Sequence, residues 1–240
     1  MNGGWRAFGG TMGAALAGGA GAAAVMLALA GPGQRPGGEA VRGYLLDHPE
    51  VIPEAMQRLR DRQDGQVVAA NRDQIVTAFP GAEAGNARGD VTVTEYYDYA
   101  CGYCRQSVAD LDRLAASDRQ VHVVFKQMPV LSPLSDEAAR LALAAARAGR
   151  FSAYHHALFD AGTLDEATMA AAARSAGIDA VAADTPAIAR EIEATRATVR
   201  ALGLTGTPAF VVGNRILSGA VGYDAIREAV TSARSGAAPA

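Results

Sequence analysis

Cysteine is nearly absent from this chain: there are two in 240 residues, Cys101 and Cys104. Two cysteines exclude a disulfide scaffold, and a loop this short restrains almost no chain entropy, so a structural staple is a weak account of them. Histidine is scarce as well. His48, His122, His155 and His156 are the full set, and they lack the spaced His pair of common zinc sites. Adjacent His155 and His156 point about 100° apart on a helix and read as part of a solvated face. No sign of charge dominates, with 22 Lys+Arg against 25 Asp+Glu and no long basic run. Neither nucleic acid nor an anionic surface is therefore indicated as a partner. Internal repeats are missing too.

What is present is apolar bulk with clear punctuation. Half of the residues are hydrophobic, enough for a real core in one domain of ordinary size plus extensions. The chain opens with a single basic residue, Arg6, then runs uncharged from Ala7 to Gln34 through Ala28-Leu29-Ala30. Residues 1–30 read as an export signal cut after Ala30. An uncleaved anchor is the alternative, since residues 11–30 are long enough to cross a bilayer, although their glycines make a poorly apolar span. Residues 31–39 are a Gly/Pro linker. Either way, the rest of the chain is expected in a periplasmic or other extracytoplasmic space, where thiols oxidise.

Residues 40–63 suit an amphipathic helix starting near Pro49, with Asp47 or His48 at its cap. Val51, Ala55, Met56 and Leu59 then share one face. This helical extension, residues 40–88, ends in the loop FPGAEAGNARGD, and the main domain is expected over 89–233. There, residues 91–99 read as a strand, 102–116 as a helix and 121–128 as a second strand. A helical insert at about 132–204 is punctuated by Gly149, a capping box at Thr163 with Glu166, Gly177, Thr185-Pro186 and Gly203. TPAFVVG and RILSG form a hairpin about Gly213-Asn214, and a last helix over 223–233 precedes a disordered tail at 234–240. The order β-α-β, helical insert, β-β-α predicts an α/β fold, a small mixed sheet with helices on both faces.

In that order Cys101 falls where a strand gives way to a helix. The free N–H groups and dipole of a helix start favour a thiolate there. Cys104, three residues on, shares its face within bridging reach. Such a pair can attack a disulfide, hold a mixed disulfide and then resolve it internally. Glu95 interrupts an otherwise apolar and aromatic strand six residues before Cys101. Its side chain is either a buried acid that can relay the proton of Cys104 or an edge-strand carboxylate facing solvent. Tyr96, Tyr97, Tyr99 and Tyr103 can line a peptide surface, but two or three of them are expected to pack the core. Pro208 opens a strand without losing a needed N–H.

CGYC after an aromatic-rich strand, the long helical insert, and TGTPAF before the last strands together resemble the DsbA family of exported thiol-disulfide oxidoreductases. The resemblance covers residues 90–233. It implies a thioredoxin-like fold, with Cys101 as nucleophile and Cys104 as resolving cysteine. It also implies a cis peptide at Pro208 that sets the Thr207 backbone beside the dithiol, and a buried acid at Glu95. No organic or metal cofactor is needed, since the redox equivalents are the two sulfurs. Expected partners are cysteine-containing exported proteins and a membrane redox partner. The strongly oxidising members carry Pro-His between the cysteines, where this chain has Gly102-Tyr103, which leaves both an oxidase and an isomerase open. YLLDHPEVIPEAM resembles the N-terminal helices of the ScsC and copper-sensitivity subgroup. Residues 40–63 are accordingly either a homo-oligomerisation element or a cover folded onto their own domain. The alternative function is a dithiol protein of the same fold that handles copper or zinc.

Overall fold

The computed structural model describes residues 37–178 and 185–236. The residues expected to form an export signal, 1–30, most of the expected linker and the end of the expected tail therefore lie outside the described residues. Among those described, no helix is long and apolar enough to cross a membrane.

The chain divides into two units, residues 1–55 and 56–240. The described part of the first holds helix α1, Gly38–Asp47. After a turn at Pro49, helix α2, Val51–Ala70, begins. The expected helix start near Pro49 corresponds to α2, which runs on past Gln63 to Ala70, while α1 is a separate helix without a counterpart among the expected elements. Val41, Tyr44, Leu46, Ile52, Met56 and Leu59 are all exposed.

In the second unit, short helix α3 (Arg72–Val76) leads to a five-stranded sheet in the order β1-β3-β2-β4-β5. The strands are β1 Glu83–Gly85, β2 Val91–Tyr97, β3 Val121–Gln127, β4 Ala209–Val212 and β5 Arg215–Ser218. Only β2 and β3 are parallel, joined through helix α4, Gly102–Ser117. The other pairings are antiparallel. β1 is a correction. It lies in the stretch read as a connecting loop, yet it pairs with β3 from Glu83↔Val124 to Gly85↔His122. A three-residue strand with one apolar side chain has no readable alternation; neighbouring β3 alone makes it a strand.

Central β2 is covered on both faces, as its nearly unbroken burial shows. Val91, Val93 and Tyr97 join the larger core with Leu111, Leu114, Phe125 and Phe210. Tyr96, one residue out of phase, faces a second cluster with Val68, Ile75, Val199 and Val211. Thr94, on that same face, donates its hydroxyl to the Ile75 carbonyl at 3.0 Å. Each such buried aliphatic side chain is worth roughly 1.5–3 kcal/mol. The stretch 64–76, expected as part of the extension, thus packs beneath the sheet.

Between β3 and β4 comes the insert: α5 Ser135–Arg147, α6 Phe151–Asp160, α7 Glu166–Ala176 and α8 Pro186–Ala201. Thr185 caps α8, accepting from the Ile188 N–H, with Pro186 at the first turn. The cap of α7 differs from the expected Thr163–Glu166 box. Asp165 is the N-cap, and its carboxylate accepts from Thr168 N while Thr168 Oγ1 accepts from Asp165 N. The Asp165 carboxylate, two residues later, competes better for the free N–H groups than the Thr163 hydroxyl. Gly213, at φ +61°, makes the tight β4–β5 turn. Helix α9, Gly222–Ser235, closes the fold.

Candidate active site

The site forms where β2 ends. Cys101 is the N-cap of α4, in extended conformation, and its Sγ accepts from the Cys104 backbone N–H at 3.4 Å. On the other side, Cys101 Sγ donates to the Thr207 carbonyl at 3.2 Å. Thr207-Pro208 is a cis peptide bond, and Pro208 passes its own carbonyl to the Gly219 N–H at 2.8 Å. The two cysteines are free thiols in this state. Cys101 keeps 6% of its surface exposed and Cys104 none. Burial first, and the Glu95 carboxylate second, push the Cys104 thiol well above the ordinary thiol range.

Glu95 lies in mid-sheet, paired in register with Phe125 and Phe210, and is 1% exposed. Its Oε1 has no hydrogen-bond partner. Burial, then the nearby Cys101, push its carboxyl up to about 8. At neutral pH it therefore holds a proton for most of the time, beneath a sulfur pair whose protons must come and go.

Around this carboxyl lies a polar chain that sequence reasoning missed. Gln127 Nε2 donates to Tyr97 Oη, Tyr97 Oη meets Tyr99 Oη at 3.1 Å, and Tyr99 Oη meets His155 Nδ1 at 3.2 Å. His155 is buried and has Nε2 unpartnered. Burial, then the neighbouring His156, lower it to about 3, so the ring is neutral. The reading of both histidines as a solvated face is thus corrected for His155, which packs among Tyr97, Tyr99, Phe125, Phe151 and Phe159. His156 holds Asp112 on α4 at 2.8 Å, and His122 holds Glu83 at 2.6 Å. Among the described residues, no three His, Cys, Asp or Glu side chains converge as a metal-binding group. Tyr103 is 65% exposed beside the dithiol, while Tyr96, Tyr97 and Tyr99 are core.

Asp98 was also overlooked. Buried at the end of β2, it accepts from the Ala100 N–H and the Ser135 hydroxyl through Oδ1, and from the Val130 and Leu131 N–H groups through Oδ2. Four donors hold the loop before the cysteines against the loop after β3. An Asp directly after the strand was the available signal, since short acidic side chains commonly tie up turn N–H groups.

Two clefts flank Cys101. One, of about 490 Å³, runs along residues 202–209 past Thr207 and Pro208, with Gln57, Arg60 and Asp64 on its wall. The other, of about 310 Å³, has Cys101, Gly102 and Arg105 on one side and Leu158, Phe159 and Thr163 on the other.

A sequence family described as the DSBA-like thioredoxin domain matches residues 92–231, more than half of the chain. The chain belongs to the DsbA-like thioredoxin family. A second family, described as the copper resistance protein ScsC N-terminal domain, matches residues 38–66. Similar solved structures include a thioredoxin-like oxidoreductase from Silicibacter pomeroyi DSS-3, 35% identical, with a TM-score of 0.64 over 69% of this chain and 98% of that one. The catalytic domain of Proteus mirabilis ScsC is 26% identical, with a TM-score of 0.66 over 71% of this chain and 98% of its own. The thiol-disulfide exchange protein alpha-DsbA2 of Wolbachia pipientis is 25% identical, with a TM-score of 0.67 over 72% and 97%. No match was found among curated protein sequences. The DsbA-like family is one of thiol-disulfide oxidoreductases, and the paired cysteines at a helix start are the groups able to carry that chemistry here.

Proposed function

We propose that this DsbA-like protein is exported and exchanges disulfides with cysteine-containing proteins through Cys101 and Cys104. The observation that supports this best is Cys101 Sγ, placed between the first turn of α4 and the Thr207 carbonyl. In the oxidising direction a substrate thiolate attacks Sγ of Cys101 in the Cys101–Cys104 disulfide. The S–S bond breaks, a substrate–Cys101 mixed disulfide forms, and Cys104 leaves as a thiolate that takes a proton. A second substrate thiolate then displaces Cys101. The substrate leaves as a disulfide and the protein is reduced by two electrons. Run in reverse within one substrate, the same steps reshuffle wrong pairings. Glu95 supplies the proton to Cys104, and the Thr207 backbone pairs with the extended substrate chain. A membrane redox partner reoxidises the dithiol.

Residues 40–63 join protomers in this reading. Ile52, Met56 and Leu59 are about half exposed, an apolar set that association can bury for on the order of 5 kcal/mol before entropy. Linking dithiol domains raises the local thiol concentration around one substrate and favours reshuffling. The test assays the mature protein and a triple variant, Ile52→Lys with Met56→Lys and Leu59→Lys, by light scattering, oxidation of a reduced peptide and refolding of a scrambled protein. Assembly of the mature protein and loss of both assembly and refolding in the variant are expected. A mature protein that is monomeric at high micromolar concentration makes the segment a cover for its own domain.

A second reading, in which the dithiol handles copper or zinc, draws on the match of residues 38–66 to a copper resistance protein domain. Stoichiometric metal held by Cys101 and Cys104, with no disulfide exchange, would replace the redox reading.

A further inference from the structure

We propose that the cleft between Arg105 and the Gly162 loop selects disulfide partners that carry a carboxylate on the residue next to the reacting cysteine. This rests on the exchange chemistry proposed above and names which substrates that site prefers.

The cleft of about 310 Å³ has Cys101 itself in its wall, so whatever occupies it is attached close to the reacting sulfur. Taking roughly 30 Å³ as the share of one liquid water, it has room for about ten waters, the bulk of one or two amino-acid residues. Leu158, Phe159 and Leu164 make it partly apolar. Arg105 is the only formally charged side chain in the lining, which contains no Asp or Glu. The guanidinium is held in place: Nη1 donates to the Gly162 carbonyl at 2.8 Å. That bond uses one of its five N–H donors, and no carboxylate pairs with Arg105 among the described residues.

Gly162 is what lets the two meet. Its φ is +82°, and a Cβ there would stand 2.9 Å from Arg105 Nη1. A side chain at 162 would thus strain the backbone and crowd the guanidinium at once. An oriented guanidinium with free donors, beside a reactive sulfur and with no internal anion, suits a carboxylate, which it can grip with two parallel hydrogen bonds. The cleft along Thr207 shares no lining residue with this one. A peptide can therefore lay its backbone along Thr207 while the residue beside its cysteine enters the Arg105 cleft.

In the exchange used for the test, reduced Cys101 attacks one sulfur of a substrate disulfide. That S–S bond breaks, a Cys101–substrate bond forms and one substrate thiol leaves with a proton. Cys104 then displaces the second substrate thiol. The substrate disulfide is reduced to two thiols and the protein is oxidised to its Cys101–Cys104 disulfide. The carboxylate takes no part in bond making; it raises the occupancy of the encounter.

The experiment measures exchange rates of the reduced, full mature protein with four probes. They are the symmetrical disulfides of acetyl-Ala-Cys-Glu-amide and acetyl-Ala-Cys-Gln-amide, glutathione disulfide, and the ester of glutathione disulfide. Each rate is divided by that of dithiothreitol with the same probe, which removes intrinsic differences in reactivity. For an exposed guanidinium the Glu probe should react about threefold to fivefold faster than the Gln probe at low salt. The advantage should vanish at about 1 M salt. R105Q should bring the Glu-to-Gln ratio close to one, while R105K, a point charge without the fork, keeps part of it. If glutathione disulfide outpaces its ester by the same factor, small thiols are among the preferred partners. A preference confined to the peptides assigns the carboxylate to protein substrates. Equal rates for Glu and Gln in the unaltered protein overturn the inference while leaving the exchange chemistry intact. A protein that exchanges with none of the four probes removes the redox reading and this inference together.

Discussion

The Sγ of Cys101 lies 3.2 Å from the carbonyl oxygen of Thr207, although 106 residues separate them in the chain. The same sulfur also caps α4 by accepting from Cys104 N–H, so one atom joins the helix start to the strand entry of β4. This leaves Cys101 slightly open and Cys104 closed off. Alkylation of the reduced native protein should modify Cys101 first and leave Cys104 protected until unfolding. Cys104→Ser should accumulate mixed disulfides with substrate, and Cys101→Ser should form none. Mass spectrometry after a brief pulse of iodoacetamide reads each outcome, and preferential labelling of Cys104 would reverse the assignment of roles.

Glu95 gives the reduced protein a pH signature. Its carboxyl is raised from 4.5 to about 8 by burial and then by Cys101. Between those values the folded chain binds a proton that the unfolded chain has lost, so stability falls as pH rises. The contribution is complete below pH 4.5 and gone above about 8. Glu95→Gln should flatten this slope, which at most approaches about 1.4 kcal/mol per pH unit. The variant should also slow resolution by Cys104, by about a hundredfold if the carboxyl acts as general acid and base. Urea titrations at several pH values, with quenched-flow detection of the mixed disulfide, measure both.

His155 acts with the opposite sign on the acid side. Its ring is lowered from 6.5 to about 3, first by burial and then by His156. From 6.5 down to about 3 the unfolded chain binds a proton that the folded one refuses, so stability is lost as pH falls. His155→Gln keeps an amide that can reach Tyr99 but does not titrate. It should cost about 1–2 kcal/mol at pH 7 through poorer packing, yet flatten the acid limb of the stability curve. An unchanged acid limb in the variant would contradict a neutral buried ring.

Asp98→Ala removes an acceptor of four hydrogen bonds, three from backbone N–H groups. Buried donors left without a partner make this costly, about 2–4 kcal/mol. Because Val130 and Leu131 lose their tether, their amides should exchange with deuterium markedly faster, ahead of the strand amides. Chemical denaturation and residue-resolved hydrogen exchange test the two parts separately.

Much of the fold was open to reading because its local signals and its tertiary arrangement agree. β2, β3 and the β4–β5 hairpin are apolar, β-branched runs bounded by turn residues, α4 carries apolar residues on one side, and α8 has its own start signal in Thr185-Pro186. β1 failed because three weak residues become a strand only through β3. The stretch 64–76 failed because its apolar residues fall in two short groups without a clear period, and only the underside of the sheet gives Val68 and Ile75 something to bury against. His155 and His156 show the same limit: adjacent, chemically identical side chains, one sealed among aromatic rings and one reaching Asp112.

By itself the sequence determined which atoms can react and the order of the elements around them. Spacing along one chain is local geometry, and a Cys-x-x-Cys pair at the end of a strand needs no tertiary context to share a helix face. Only the tertiary structure decided what those atoms feel. Glu95 reads as a buried acid or as an edge carboxylate until β3 and β4 close on either side of it. Burial, once imposed, changes the protonation of Glu95, Cys104 and His155 more than any sequence neighbour does, because removing water acts on every charged form at once.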